Sequence, residues 1–305
     1  MPREGDARAV QIDIDARMIG LRYPVEDGLV GDSGETLRAL LPLLDRKPER
    51  AWQQRIEASV AEWWKLTEER AFAPAKPVNP ELLFWHLSSR LPDASIITAD
   101  SGTVANWFAR NLKLRKGMMA SVSGGLASMG NAVPYALAAK LAYPERPVFA
   151  LVGDGAIQMN GNAELLTLCR YYRQWKDPRF IVVVLNNGDL NLVTWEMRAL
   201  AGNPRYEASQ SLPTFNYAAY AEQIGMRGIR VERPEDIETA WEEALSCDRP
   251  VVVDALTDPN IPPLPPHITL KQAKGFALSM LKGDPGRGNI LQRAISQLVT
   301  PAEKR

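Results

Sequence analysis

Short apolar runs alternate with segments of helical period along most of this chain. The runs in SIITAD (95–100), VFALV (148–152), IVVVL (181–185) and PVVVDAL (250–256) are too short for buried helices and rich in β-branched residues. They read as strands buried on both faces. Between and around them, ELLFWHLSSRL (81–91), NAVPYALAAKLA (131–142), AELLTLCRYYRQW (163–175) and PEDIETAWEEAL (234–245) read as helices. This alternation predicts an α/β fold, a doubly wound parallel sheet with helices on both faces. Ligands of such sheets bind beyond the carboxyl ends of the strands.

The first part of the chain has a different character. AVQIDI (9–14) reads as one strand, and Asp32 with Glu35 forms a capping box ahead of the helix TLRALLPLL. Residues 46–70 are charged and carry Trp52, Trp63 and Trp64, which predicts a surface helix. The prolines of FAPAKPVNP (72–80) mark a boundary. The expected organisation is therefore a partial α/β segment over 1–47, a helical linker over 48–80, a main domain over 81–262 and a helical tail over 263–305. The first segment is too short to bury a core alone and looks like the end of a larger domain.

Composition narrows the chemistry. Of 305 residues, 36 are basic and 36 acidic, so no global field attracts nucleic acid. Two cysteines, Cys169 and Cys247, exclude a disulfide framework and predict a cytoplasmic setting. The N-terminus lacks the apolar stretch of a signal peptide, and no apolar run is long enough to span a bilayer. The only histidines, His86 and His267, are far apart, which leaves zinc sites and Ser-His catalysis poorly supplied. An enzyme built on this chain must work through carboxylates, amides or a cofactor.

Unusual residues collect after three strands: Asp100, Gly102 and Thr103; then Asp154 within Gly-Asp-Gly; then Asn186, Asn187 and Asp189. In a parallel sheet these loops share one rim. Asp154 and Asn187 offer hard oxygen ligands suited to magnesium and a phosphate ligand. Glycines beside Asp154 would admit a diphosphate to backbone N–H groups, and a helix starting near Asn162 would point its positive end there. Each short motif taken alone also suits an ordinary turn. The loop GGLASMG lacks the spacing of a dinucleotide fingerprint or a P-loop.

The span GDGAIQMNGNAELLTLCRYYRQWKDPRFIVVVLNN resembles the thiamine diphosphate-binding motif, which opens with GDG and closes with NN. Further stretches, among them AVQIDIDARMIG, ADSGTVANWFAR, SMGNAVPYALAAK and PPHITLKQAKGFALSML, are similar to bacterial pyruvate oxidases (pyruvate:quinone oxidoreductases), a group related to acetolactate synthase. The resemblance runs from about residue 9 to 300. It implies the diphosphate-binding domain, preceded by the end of a middle domain that in relatives often holds FAD.

Carried over residue by residue, the resemblance implies a Mg²⁺ ion on Asp154, Asn187 and the carbonyl of Asp189. Ala127, Ser128 and Met129 fall where relatives contact the aminopyrimidine, with Met129 as the wedge under the cofactor. Gly102 and Thr103 match a diphosphate loop, and Gly155, Ala156 and Asn191 complete the contacts. The spacing from Asp154 to Asn187, 33 positions, exceeds the family's usual one, and the surplus is expected in YYRQWKDPRF. The catalytic glutamate of the family lies in a pyrimidine-binding domain and reaches the site from a neighbouring subunit, so no residue here inherits it.

The implied function is decarboxylation of a 2-oxo acid such as pyruvate, with this chain inactive alone. The implied partners are a pyrimidine-binding domain, on another chain or upstream, and a homo-oligomer once complete. An acetolactate synthase-like carboligase, a non-catalytic remnant and a Rossmann dehydrogenase are the alternatives. Asp13 sits either near FAD or in a simple strand-end turn. The apolar face of NILQRAISQLVT (289–300) suits packing on the protein or peripheral membrane contact.

Overall fold

The structure, a computed structural model, describes residues 2–263, 269–288 and 290. The apolar face proposed over 289–300 lies, apart from Ile290, outside the described residues. Two compact units divide between Glu62 and Trp63, inside a long helix.

In the first unit, β1 (Val10–Asp13) pairs in parallel with β2 (Asp27–Val30). Helix α1 (Ser33–Leu40) follows, and α2 begins at Ala51 and runs to Ala71. Asp32 caps α1 by accepting the N–H of Glu35. The expected box is only half formed, because the Glu35 carboxylate pairs with Arg38 instead. The carboxylate of Asp13 accepts the N–H of Asp15, a strand-end turn. Strand β2 escaped the sequence reading because its burial is low throughout, so no apolar run marks it. None of the described residues of this unit is buried.

The second unit carries a six-stranded, all-parallel sheet in the order β4-β3-β5-β6-β8-β7. After α3 (Pro80–Arg90) come β3 (Ile96–Ala99), α4 (Thr103–Asn111), β4 (Met119–Val122) and α5 (Ala132–Ala142). Strand β5 (Val148–Gly153) leads into α6 (Asp154–Met159) and α7 (Asn162–Tyr171). A 3-10 turn, Tyr172–Gln174, and a loop then precede β6 (Phe180–Asn186). Beyond it lie α8 (Asn191–Glu196), a π-helical turn (Met197–Ala201), α9 (Glu207–Gln210) and α10 (Tyr217–Gln223). Strand β7 (Arg227–Val231), α11 (Ile237–Ser246), β8 (Val251–Leu256) and α12 (Leu270–Leu281) follow.

The strand period of two sorts the central strands onto two faces. Phe149, Leu151, Ile181, Val183, Val251 and Val253 face one core, shared with Phe84, Leu87, Trp107 and Trp241 from α3, α4 and α11. Their neighbours Val148, Ala150, Val152, Val182, Val184 and Val252 face the other, shared with Val133, Leu165, Leu168 and Tyr217 from α5, α7 and α10. Burial on both faces is the reason these strands read as unbroken apolar runs. The edge strands β4 and β7 lack that signature. Every residue of β4 is exposed, and β7 spends its polar positions on Arg227 and Arg230, paired with Glu222, Glu243, Glu232 and Asp254.

The strand order reverses between β3 and β5. From β3 the chain moves outward to β4, whereas from β5 it moves the opposite way to β6. A reversal of this kind opens a crevice at the carboxyl ends of the two strands.

Candidate functional site

The three strand-end loops meet at that crevice. Gly102 and Thr103, at the start of α4, line a cleft together with Ala127 and Met129. The opposite wall is Asp154, Gly155 and Ala156 from β5 and α6, with Asn187, Asp189 and Asn191 from β6 and α8. Asp100, Asn186 and Ser128 do not line the cleft: Asn186 donates to Asp254 and to the carbonyl of Phe215, and Ser128 lies in the loop beside Ala127. Its carbonyl accepts the hydroxyl of Ser101, and its N–H donates to the hydroxyl of Ser123, so it fastens the loop.

Asp154 is 3% exposed. One carboxylate oxygen accepts the N–H of Gly155 at 2.9 Å, and the other accepts the N–H groups of Asn187 at 2.9 Å and Gly188 at 2.6 Å. Burial pushes this carboxyl up to about 6, against the pull of those three N–H groups, and the nearby Asp189 charge adds to the rise. The helix that begins here is α6, at Asp154 itself, and not the one that starts at Asn162. Gly155 within the first turn of α6 disguised that start, since glycine is a poor helix former.

The two glycines of Gly-Asp-Gly do different work. A Cβ on Gly155 would lie 2.7 Å from a methyl of Leu190, so Gly155 is small because the helix packs closely on the next loop. Gly153 has an ordinary φ of −84°, and a Cβ there would meet nothing within 4 Å. Neither backbone nor packing explains this glycine. Its backbone borders the open cleft, where a ligand could approach it closely.

Asn187 turns its amide oxygen to the N–H of Asp189 at 3.0 Å. The carboxylate of Asp189 points into the protein, where it accepts Thr194 Oγ1, Asn191 Nδ2 and Arg205 Nε. Among the described residues, no group of three or more His, Cys, Asp or Glu could hold a metal ion. A cation at this rim would therefore take the Asp154 carboxylate, amide and carbonyl oxygens, and oxygens of its ligand. Magnesium accepts such a shell, so the residues present fit it.

On the other wall, Ala127 has a φ of 51°, the one positive φ among the described residues other than glycine. Such strain persists where surrounding structure holds it, commonly at ligand sites. Ser128 is tied beside it, and Asp100 fastens the chain just beyond. The fully buried Asp100 carboxylate accepts the N–H groups of Gly130, at 2.9 and 3.0 Å, and Ala132, at 3.2 Å. Burial raises its pKa, opposed by these N–H groups and that of Ser101. The sequence placed Asp100 at the rim but did not show that it pins the loop carrying Met129. Tyr217 was missed as well: its hydroxyl donates to the Asp154 carbonyl at 3.2 Å and accepts from Gln158 at 2.8 Å. Neither residue carries a local signal for these contacts, which cross tens of positions.

Leu190, Leu192 and Val193 also line the cleft, giving it a largely apolar wall beside its polar floor. An anionic group could sit against the glycine and N–H side while an apolar ring rests on Met129 and these side chains.

Residues 100–255 match the family described as thiamine pyrophosphate enzyme, C-terminal TPP binding domain. Over 277 residues the chain is 39% identical to the "Putative thiamine pyrophosphate-containing protein YdaP" of Bacillus subtilis, covering 91% of this chain and 46% of that one. It is 31% identical over 264 residues to the acetolactate synthase isozyme 3 large subunit of Escherichia coli, covering 83% and 44%. It is 30% identical over 262 residues to the acetolactate synthase large subunit of Corynebacterium glutamicum, covering 82% and 40%. The chain thus spans less than half the length of these relatives.

Proposed function

Because the chain belongs to the thiamine pyrophosphate enzymes through their C-terminal TPP-binding domain, we propose that its cleft holds the diphosphate end of thiamine diphosphate with a magnesium ion. The observation that carries this reading is the pairing of Asp154 and Gly153. One is a nearly buried carboxylate held by backbone N–H groups, and the other a glycine facing open space. Asp154, the amide of Asn187 and the carbonyl of Asp189 would hold the metal. Gly153, Gly102 and Thr103 would border the phosphates, and Met129 would support the apolar body of the cofactor. Bound there, thiamine diphosphate would supply the carbanion chemistry that decarboxylates 2-oxo acids.

The residues of this chain have binding and orienting roles in that scheme. Asp154 balances the cation in a dry setting, where a fixed charge acts strongly. The Asp100-pinned loop fixes Ala127 and Met129, which keeps one wall of the cleft in place. Leu190, Leu192 and Val193 give the same space an apolar side.

We assign the whole enzyme to the pyruvate oxidase type, acting on a 2-oxo acid, on the similarity of the stretches quoted above. A carboligase reading is favoured by the acetolactate synthases among the relatives. On either reading a pyrimidine-binding domain supplies the catalytic glutamate, from another chain or a longer form of this one, and FAD would need more of the middle domain. Among the described residues no helix is long and apolar enough to cross a membrane.

Titration calorimetry of the chain with thiamine diphosphate tests the binding reading. Binding is expected with Mg²⁺, is lost with a chelator, and is lost in Asp154→Ala. Equal affinity with and without Mg²⁺, or an unaffected Asp154→Ala protein, overturns it. Turnover of pyruvate by the pure chain overturns the assignment of the glutamate to another domain.

A further inference from the structure

The Asp189 carboxylate belongs to a buried network that no step above uses. Asp189 is 4% exposed, and its contacts with Thr194, Asn191 and Arg205 hold both oxygens away from the cleft. Among the described residues, Arg205 is the cation that balances it, at 3.1 Å. Arg205 also donates its own backbone N–H to Asp284 at 3.0 Å. Asp284 lies just beyond α12, far along the chain, and is 1% exposed. It is gripped in bidentate fashion by Arg198 at 2.8 and 3.0 Å. Arg198, itself 2% exposed, lies over the ring of Trp195 at 4.8 Å, and that ring stacks on Phe276 of α12.

The same side of the loop is fastened a second time. Asn191 Nδ2 and Trp195 Nε1 both donate to the carbonyl of Pro259. The π-helical turn after α8 presses directly on α12, where a Cβ on Gly275 would lie 2.4 Å from the carbonyl oxygen of Ala199. The loop after β6 therefore rests on a charged chain that ends beyond α12.

We propose that Arg205 and Asp284 are positioning residues for the Asn187–Asn191 loop. They turn the Asp189 side chain inward, so that this loop offers the cleft an amide and a backbone carbonyl and no second carboxylate. A buried carboxylate left without its cation must find water or neutralise. Removing the Arg205 charge leaves Asp189 with only the neutral donors Thr194 and Asn191, and the loop that carries it loosens. Docking of the segment after α12 thereby sets the geometry of the cofactor side. This inference rests on the proposed cofactor reading only for its consequence. The positioning itself is a property of the free protein.

Hydrogen exchange of the full chain without ligand tests the positioning, followed by mass spectrometry of peptides spanning 186–196. Arg205→Gln is expected to speed exchange there by about tenfold, and Arg205→Lys by less. Asp284→Asn is expected to do the same at a distance. Adding Asp189→Asn to Arg205→Gln should recover most of the protection, since no carboxylate is then left without a cation. A core variant such as Ile97→Val serves as a control of matched global stability. Arg205→Gln exchange that rises no more in this loop than in the control overturns the proposal, as does additivity of the Asp189 and Arg205 changes. If the folded variant shows the loop effect while the wild-type chain binds no thiamine diphosphate, the cofactor reading fails and the positioning stands.

Discussion

Asn187 donates its backbone N–H to the carboxylate of Asp154 at 2.9 Å, across 33 positions of sequence. The bond ties the end of β6 to the end of β5, so the two residues proposed to hold a cation already meet in the free protein. Gly188 adds a second N–H to the same oxygen. Preorganisation of this kind lowers the ordering cost of binding.

Replacing Gly153 by alanine separates ligand space from fold. The backbone there is ordinary and a Cβ meets nothing. Stability should hold or rise by up to about 1 kcal/mol. Affinity for thiamine diphosphate should fall by about tenfold or more, because a methyl then occupies the open side of the cleft. Thermal melts and calorimetry on one preparation check both halves.

Gly130→Ala should act in the opposite way. Gly130 has a φ of +86°, and a Cβ would lie 2.4 Å from the Cβ of Asn160 and 3.0 Å from its carbonyl oxygen. Strain and overlap together should lower stability by about 2 kcal/mol or more. A denaturant titration that finds no change in midpoint would contradict the close approach of these two segments.

Asp100→Asn should loosen the Met129 loop. The carboxylate accepts N–H groups from Ser101, Gly130 and Ala132, and an amide NH₂ in its place turns a donor toward donors. A loss of about 2 kcal/mol is expected. Proteolysis near Leu126, which is 93% exposed, should accelerate in this variant before global unfolding.

Lys140 makes stability depend on pH at the alkaline end. Its ammonium is fully buried, donates to the carbonyls of Arg146 and Arg179, and lies 5.5 Å from the ring of Trp175. Burial lowers its pKa from 10.5 to about 8, opposed by the charge of Asp177. Between these two values the unfolded chain holds a proton that the folded chain has released. Stability from this group therefore rises with pH across that window, by at most about 1.4 kcal/mol per pH unit. Below about 8 both states are charged and the slope vanishes. The difference in unfolding free energy between the wild type and Lys140→Met, measured from pH 7 to 10, should grow in favour of the wild type. A flat difference would contradict the lowered pKa.

Much of the architecture is legible along the chain because its causes are local or periodic. VFALV and IVVVL announce strands buried on both faces, and the intervening amphipathic segments announce helices. The edge strands β4 and β7 and the isolated pair member β2 are not announced, because an exposed or salt-bridged strand needs no apolar run. The start of α6 at Asp154 hides behind a glycine.

What the sequence by itself determined was the alternating α/β order and the presence of oxygen ligands and glycines after three strands. The strand order could not be read there. Placing β5 between β3 and β6 brings Asp154, Asn187 and Gly102 to one crevice, and hydrogen bonds between distant segments decide that order. Only the tertiary structure showed that Asp100 pins the Met129 loop, that Gly153 faces space while Gly155 faces Leu190, and that Asp189 turns inward to Arg205. Each of these depends on which group burial leaves without water, and a buried charge takes its partner from whatever the fold brings near, however far away along the chain.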